Sequence, residues 1–151
     1  MRNSWSGGQY SLYRGLLGAY LFVHFGYLAF WAAELFSSAG MLPDAALSPL
    51  ARAFPNILSV LDGPLFVSAL ALSGAGAAVA FALGRGDRLA ALFMWYLLAC
   101  FLGRNPLILN PSLPYVGWML LAHHFVPAAT YGSLAARGRA DPGGDWRLPP
   151  A

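Results

Sequence analysis

The chain has no lysine and few charged residues of any kind. Only 10% of its 151 residues are charged, and all nine basic residues are arginines. Apolar residues make up 58% of the sequence, and its mean hydropathy is +0.57. A typical soluble domain carries about 25% charged residues. The composition therefore excludes an ordinary soluble domain and is typical of one small membrane domain.

Cysteine is almost absent as well. Cys100 is the single cysteine, so a disulfide within the chain is excluded. It lies inside an apolar run, where we expect a small buried core residue. The sequence also lacks metal-ligand spacing, a phosphate-binding loop and a nucleophile elbow. These absences predict no metal site and disfavour an independent enzyme.

The longest apolar run predicts a first membrane helix over residues 12–36, because about 20 apolar residues span the hydrocarbon core. The run is too long for a signal peptide, so we predict that it is retained. Several of its polar and aromatic residues recur at steps of three, four or seven and share one stripe. Histidine and carboxylate are costly against acyl chains, so we expect this stripe to face protein or a wet cavity. Its members are Tyr13, Tyr20, His24, Tyr27, Trp31 and Glu34.

Three further spans are predicted over residues 64–83, 89–102 and 115–134. The second is rich in small residues spaced by four, such as Ala69, Ser73 and Ala77, which favours close helix packing. Between the first two spans, Ser48 and Pro49 indicate the start of a kinked helix lying on the membrane surface. Residues 1–11 are predicted to form a surface arm and residues 135–151 a disordered tail. The predicted fold is an all-α integral membrane four-helix bundle.

The arginines stand at the ends of the apolar runs, where they set topology. They do not cluster with aromatic residues on one face, so the net charge of +3 does not indicate nucleic-acid binding. Only Arg52 and Arg104 fall on one side of the four predicted spans, which predicts that both termini are cytoplasmic. The other side carries Arg2, Arg14, Arg85, Arg88, Arg137, Arg139 and Arg147.

Four features resemble the membrane domain that vitamin K-dependent gamma-carboxylase shares with its bacterial relatives, the HTTM family. They are Arg14 in SLYRG, the GMLPD turn, Arg88 in GRGDR and the element formed by Arg104, Asn105 and Pro106. The resemblance covers residues 11–127 and implies a membrane-bundle fold in the bacterial inner membrane. Carboxylase members of the family use an epoxidised quinol and a lysine base to drive carboxylation. With no lysine here, the resemblance supports the fold and disfavours that activity.

Five residues are candidates for binding lipid or quinone: Arg14, His24, Glu34, Arg104 and Asn105. Each has a structural alternative. Arg14 either snorkels to phosphates or pairs with Asp87. Arg104 either binds an anionic headgroup or quinone oxygen or caps its own helix, and Asn105 either shares that ligand or holds the turn before proline. Glu34 is either a proton carrier or the counterion of Arg104.

A pair of histidines offers a different possibility. His24 and His123 are predicted at similar depth on the first and fourth spans, as axial ligation of haem b requires. His124 would point about 100° away from its neighbour. The structural alternative, which we favour, is that His24 hydrogen-bonds a neighbouring tyrosine or backbone carbonyl and that His123 or His124 faces a partner protein.

These observations predict a small accessory subunit that packs against a larger integral membrane complex and contacts membrane lipid or quinone. Two alternatives from other classes stay open. One is a lipid- or quinone-modifying enzyme that uses His24, Glu34 and Arg104. The other is a b-type cytochrome subunit, the only alternative that requires a cofactor.

Overall fold

The computed structural model describes residues 7–51, 53–108, 110–127 and 129–138, and within these ranges it contains helices and turns but no strand. Four α-helices follow one another: α1 (Gly7–Phe36), α2 (Pro64–Leu83), α3 (Asp87–Arg104) and α4 (Leu113–Ala122). Four short 3-10 turns lie at Ala45–Leu47, Ile57–Ser59, His123–Phe125 and Leu134–Ala136. The predicted all-α class is confirmed for this part of the chain.

Helix α1 has 30 residues and begins before the predicted first span. Residues 7–11, predicted as part of a surface arm, belong to the helix, and residues 1–6 lie outside the described ranges. Its packed face carries buried apolar residues at steps of three and four, including Leu21, Phe25, Leu28, Ala32 and Phe36. This spacing places them on one side of the helix, which packs chiefly against α2, and Phe36 meets Phe101 of α3 edge-on.

Helix α2 begins with Pro64 at its first turn and ends at Gly84, which has φ +68°. Helix α2 packs closely against α1, as predicted. Ala69 and Ser73 are exposed, however, and other small residues form the contact. A Cβ atom on Gly18 would lie 2.6 Å from the Cβ of Ala82, and one on Gly74 would lie 2.8 Å from the ring of Phe25. Small residues therefore let α1 and α2 approach closely.

Helices α1 and α2 are each long and apolar enough to cross a membrane. Helix α3 has 18 residues and slightly exceeds the predicted third span. Helix α4 has only ten, so the predicted 20-residue fourth helix is wrong. Ten residues of helix cover about 15 Å, half of a hydrocarbon core. Helix α4 stops because a 3-10 turn follows it and Val126, which precedes Pro127, adopts an extended conformation.

The predicted surface helix between the first two spans is also wrong. Two 3-10 turns occupy this connection, each capped by a side chain: Asp44 accepts from the Ala46 amide at 2.8 Å and Asn56 from the Leu58 amide at 2.9 Å. Pro49 and Pro55 interrupt helical hydrogen bonding between them. Arg52 lies outside the described residues.

The tail predicted to be disordered begins at residue 135, but its first two residues are ordered. Leu134–Ala136 form a 3-10 turn in which Ala136 is buried, and Ser133 caps that turn through its side chain. The remainder of the predicted tail, residues 139–151, lies outside the described ranges.

Candidate functional site

One cluster of polar side chains lies where α1 begins, α2 ends and α3 begins, and we call it the Arg14 cluster (Tyr10, Arg14, Asp87, His123 and Thr130). Arg14 is only 1% exposed. Its Nη1 donates to Oγ1 of Thr130 at 2.8 Å and lies 3.7 Å from Oδ2 of Asp87. Of the two predicted roles for Arg14, the structure therefore supports pairing with Asp87.

His123 joins the same cluster from beyond the end of α4. Its Nε2 lies 3.3 Å from Oδ2 of Asp87, and its Nδ1 is hydrogen-bonded to the Tyr10 hydroxyl. The tautomer with its proton on Nε2 directs an N–H towards the Asp87 carboxylate and leaves Nδ1 to accept from the tyrosine. Burial lowers the pKa of His123, and the Asp87 carboxylate opposes part of this shift. Asp87 thus lies beside both the imidazole Nε2 of His123 and the guanidinium of Arg14.

Gly84, at the end of α2, makes room for this cluster. A Cβ atom there would lie 2.6 Å from Nη2 of Arg14 and 2.5 Å from the Cβ of Ser133. The residue also has φ +68°, in the left-handed region that favours glycine. Backbone conformation and close approach therefore both require glycine at this position.

Local sequence places only some members of the Arg14 cluster. Tyr10 and Arg14 are four residues apart and so share a face of α1. Asp87 lies in the first turn of α3, where the helix dipole favours a carboxylate. Sequence reasoning missed Tyr10 and Thr130, and no pattern in the sequence indicated that Thr130 returns to α1.

A second cluster, the Arg104 cluster (Leu35, Leu42, Asp62, Arg104 and Asn105), lies at the opposite end of α3. Arg104 is 1% exposed, and its Nη2 donates to the Leu42 carbonyl at 2.7 Å and lies 3.4 Å from Oδ2 of Asp62. Asn105 donates to the Leu35 carbonyl at 3.1 Å. The predicted pairing of Glu34 with Arg104 is wrong, since Asp62 is the carboxylate beside Arg104 and Glu34 is exposed.

The connection between α1 and α2, rather than Arg104, satisfies carbonyl groups near the end of α3. Asn56 donates to the Cys100 carbonyl at 2.9 Å, and Ser48 donates to the Gly103 carbonyl at 2.6 Å. The last carbonyls of a helix lack partners within the helix. Ser48 and Asn56 therefore attach the connection to the bundle. Cys100 is buried, as predicted.

The stripe predicted to face protein or a wet cavity forms a flank of α1, which we call the polar flank (Tyr13, Tyr20, His24, Tyr27, Trp31 and Glu34). Tyr27 is 68% and Trp31 48% exposed. His24 is half-buried, stacks on Tyr20 with 6.2 Å between ring centroids, and meets Phe25 edge-on. A parallel stripe through Leu21 and Leu28 packs against the rest of this chain. The expectation that the polar flank faces protein or a wet cavity stays a prediction.

The structure does not bring His24 and His123 together. His123 contacts Tyr10, which precedes His24 by fourteen residues in α1. Fourteen residues of helix span about 21 Å. Both ring nitrogens of His123 also have partners, Tyr10 and Asp87. These positions do not fit the paired axial ligands that a bis-histidine haem requires.

An apolar groove lies between α3 and α4, and sequence reasoning missed it. It has a volume of 230 Å³ and is lined chiefly by Trp95, Leu98, Leu102, Leu113, Gly117 and Trp118. A Cβ atom on Gly117 would lie 3.4 Å from Cδ1 of Trp95, so this glycine leaves space inside the groove. The two tryptophans were the only sequence signal, and neither indicated that they would face one groove.

The chain matches no protein-family model, no curated protein and no solved structure. Its resemblance to the HTTM family stays a prediction. The two polar clusters, the polar flank of α1 and the α3–α4 groove are the features from which its function is inferred.

Proposed function

We propose that this chain is a small integral membrane subunit that docks onto a larger membrane complex through the polar flank of α1. One observation carries the proposal: the exposed surface of α1 carries an apolar stripe next to the polar flank. Leu16, Val23 and Phe30, seven residues apart, form the apolar stripe, and Phe30 is 86% exposed. Tyr20, Tyr27 and Glu34, also seven residues apart, lie on the polar flank.

The apolar stripe and the polar flank suit different surroundings in a membrane. Aliphatic and phenyl side chains are favourable in contact with acyl chains. Imidazole and carboxylate groups are costly there and pair within protein instead. Hydroxyl and imidazole side chains hydrogen-bond across neighbouring membrane helices. The polar flank therefore fits a membrane-spanning helix of a partner.

The charge of Glu34 defines this partner further. Among the described residues, no ion pair involves Glu34. A lysine or arginine near the matching end of the partner helix would neutralise its carboxylate. Tyr27 and Trp31, one turn apart and partly exposed, supply the large aromatic surface that dominates many interfaces.

The proposed topology follows from the arginines. With both termini cytoplasmic, the Arg14 cluster lies near the cytoplasmic face and the Arg104 cluster near the outer face. Both buried arginines have a carboxylate close by. Helices α1 and α2 cross the membrane, and α3 and α4 pack beside them.

A structural role fits the two clusters better than catalysis. Arg14, Arg104 and Asn105 bind other parts of the same chain. His24 and Glu34 lie on the polar flank, whereas Arg104 is buried at the end of α3. The residues named for a lipid- or quinone-modifying enzyme therefore do not form one site.

The test is purification of the tagged chain from native membranes in mild detergent, followed by native-gel sizing and identification of stoichiometric components. Trp31→Ala is expected to reduce co-purification by more than about tenfold, because truncating an aromatic interface residue often costs 2 kcal/mol or more. Phe22→Ala is the matched control, because Phe22 is 49% exposed and lies nine residues from Trp31, on the opposite side of α1, so its truncation should leave the complex intact. A wild-type chain recovered only as a monomer or homodimer, or equal effects of the two variants, would contradict the proposal.

A further inference from the structure

The α3–α4 groove has a basic residue in line with one end. Arg88, Trp95 and Leu102 follow one another at seven-residue steps, so they share one face of α3. Arg88 is exposed, and about 10 Å of helix separates it from Trp95. Its Nη2 donates to the Val126 carbonyl at 2.7 Å, just beyond α4. This bond holds the guanidinium beside the segment that follows α4, in line with the groove and outside its lining.

The groove itself is suited to a hydrocarbon chain. Its walls are the apolar parts of α3 and α4, and Gly117 keeps a volume of 230 Å³ open between them. Apolar cavities stay free of water and accept apolar molecules. Within a bilayer, an acyl chain is the apolar molecule at hand.

We infer that the α3–α4 groove binds one acyl chain of an anionic phospholipid whose phosphate lies at Arg88. This inference rests on the proposed membrane location. The guanidinium of Arg88 complements a phosphate in charge and geometry. In the proposed topology Arg88 lies on the cytoplasmic side, where anionic lipids attract basic residues. The lining residues belong to α3 and α4, so the lipid leaves the polar flank of α1 free for the partner.

The experiment is native mass spectrometry of the intact chain in detergent, titrated with phosphatidylglycerol or phosphatidylcholine of identical acyl chains. The wild type should bind one lipid and prefer phosphatidylglycerol. Gly117→Leu fills the groove and should reduce binding of both lipids more than about tenfold, since a leucine side chain occupies the space of the acyl chain. Arg88→Gln should remove a preference of about fivefold for phosphatidylglycerol and leave phosphatidylcholine binding unchanged.

Two variants serve as controls. Gly76→Leu adds the same side chain on α2, where a Cβ atom meets nothing within 4 Å. Arg85→Gln removes an exposed arginine in the turn before α3, away from the groove-lining face. Both should bind lipid as the wild type does. If Gly117→Leu fails to fold, Trp118→Ala removes one groove wall at an exposed position and should also weaken binding of both lipids.

Equal affinity for the two lipids, or binding unaffected by both Gly117→Leu and Trp118→Ala, would overturn the inference. Retention of an isoprenoid quinone in place of phospholipid, or binding of inorganic phosphate without a lipid chain, would also overturn it. Carbonate extraction separates this result from the proposed function. A chain released by carbonate refutes the membrane location itself, whereas a membrane-embedded chain without lipid preference refutes only the lipid site.

Discussion

The buried Arg14 of α1 forms an ion pair with Asp87 of α3, whose side chain is 16% exposed, with 3.7 Å between Nη1 and Oδ2. The same carboxylate oxygen lies 3.3 Å from Nε2 of His123, which follows α4. Asp87 therefore connects three parts of the chain at one end of the bundle. Removing one member leaves the others buried without the partner that offsets their desolvation.

Asp87→Asn is expected to destabilise the protein by about 3 kcal/mol, because the buried charge of Arg14 loses its counterion. The midpoint of thermal unfolding in detergent measures this effect. Arg85→Gln, two residues earlier and exposed, is the control and should change the midpoint little. Equal midpoints for Asp87→Asn and the wild type would show that the ion pair contributes nothing to stability.

Gly84→Ala and Gly86→Ala test the crowding around Arg14. Both glycines have positive φ, +68° and +63°, so alanine introduces a similar backbone strain of about 1 kcal/mol at each. Only Gly84 faces neighbours, whereas a Cβ atom on Gly86 would meet nothing within 4 Å. Gly84→Ala should therefore lower the free energy of unfolding by about 2 kcal/mol more than Gly86→Ala, measured by denaturant titration. Equal losses would exclude crowding as the cause.

Arg104→Gln should loosen the loop that follows α1. The variant loses the donor to the Leu42 carbonyl, a bond of 2.7 Å to a charged group worth about 2 kcal/mol. Hydrogen exchange of the Ala46 and Leu47 amides, which lie in the adjoining 3-10 turn, should accelerate. Arg137→Gln, an exposed arginine elsewhere in the chain, should leave their exchange rates unchanged. Unchanged rates in Arg104→Gln would assign Arg104 no role in holding this loop.

Acid should destabilise the Arg14 cluster through His123. Burial and the charge of Arg14 lower its pKa from the ordinary value of 6.5, Asp87 raises it, and Tyr10 and His124 lie beside it. The unfolded chain thus takes up a proton at higher pH than the folded chain. The stability that His123 contributes is complete above pH 6.5 and is lost as pH falls through the lower folded pKa.

The measurement is the thermal midpoint of the wild type and of His123→Gln between about pH 7.5 and pH 5.5, a window around the ordinary pKa of histidine. The wild-type midpoint should fall with pH. The variant, whose amide does not titrate, should show a smaller decrease. Parallel curves would assign the pH dependence to other groups.

Helical periodicity predicted α1 and α2 well but left the orientation of α1 undecided. Three stripes on α1 repeat at seven residues: the packed one through Leu21 and Leu28, the apolar one through Val23 and Phe30, and the polar flank. The polar flank was predicted to face protein or a wet cavity because its residues are costly in lipid, which left open whether that protein is this chain or a partner. The structure packs the stripe that includes Gly18, since its missing side chain allows α2 to approach most closely.

The ion pairs, too, were predicted only in part from the sequence. Arg14 with Asp87 was one of two predicted roles for Arg14, and it is present. Arg104 with Glu34 was also predicted, but Asp62 takes that place, because the connection between α1 and α2 returns to the end of α3. When a loop folds back onto a helix, the number of residues between two charged side chains does not indicate the distance between them.

The sequence by itself determined the helical class, the apolar character and the bounds of α2, since these depend on composition, periodicity and local signals such as Pro64 and Gly84. Only the tertiary structure decided which face of α1 is buried, that α4 is short, and that Tyr10, Asp87, His123 and Thr130 meet around Arg14. The physical reason is the separation along the chain between the residues that interact. Helix formation and termination are set within a few residues, whereas buried ion pairs and a groove between helices depend on packing between distant segments, which local patterns do not encode.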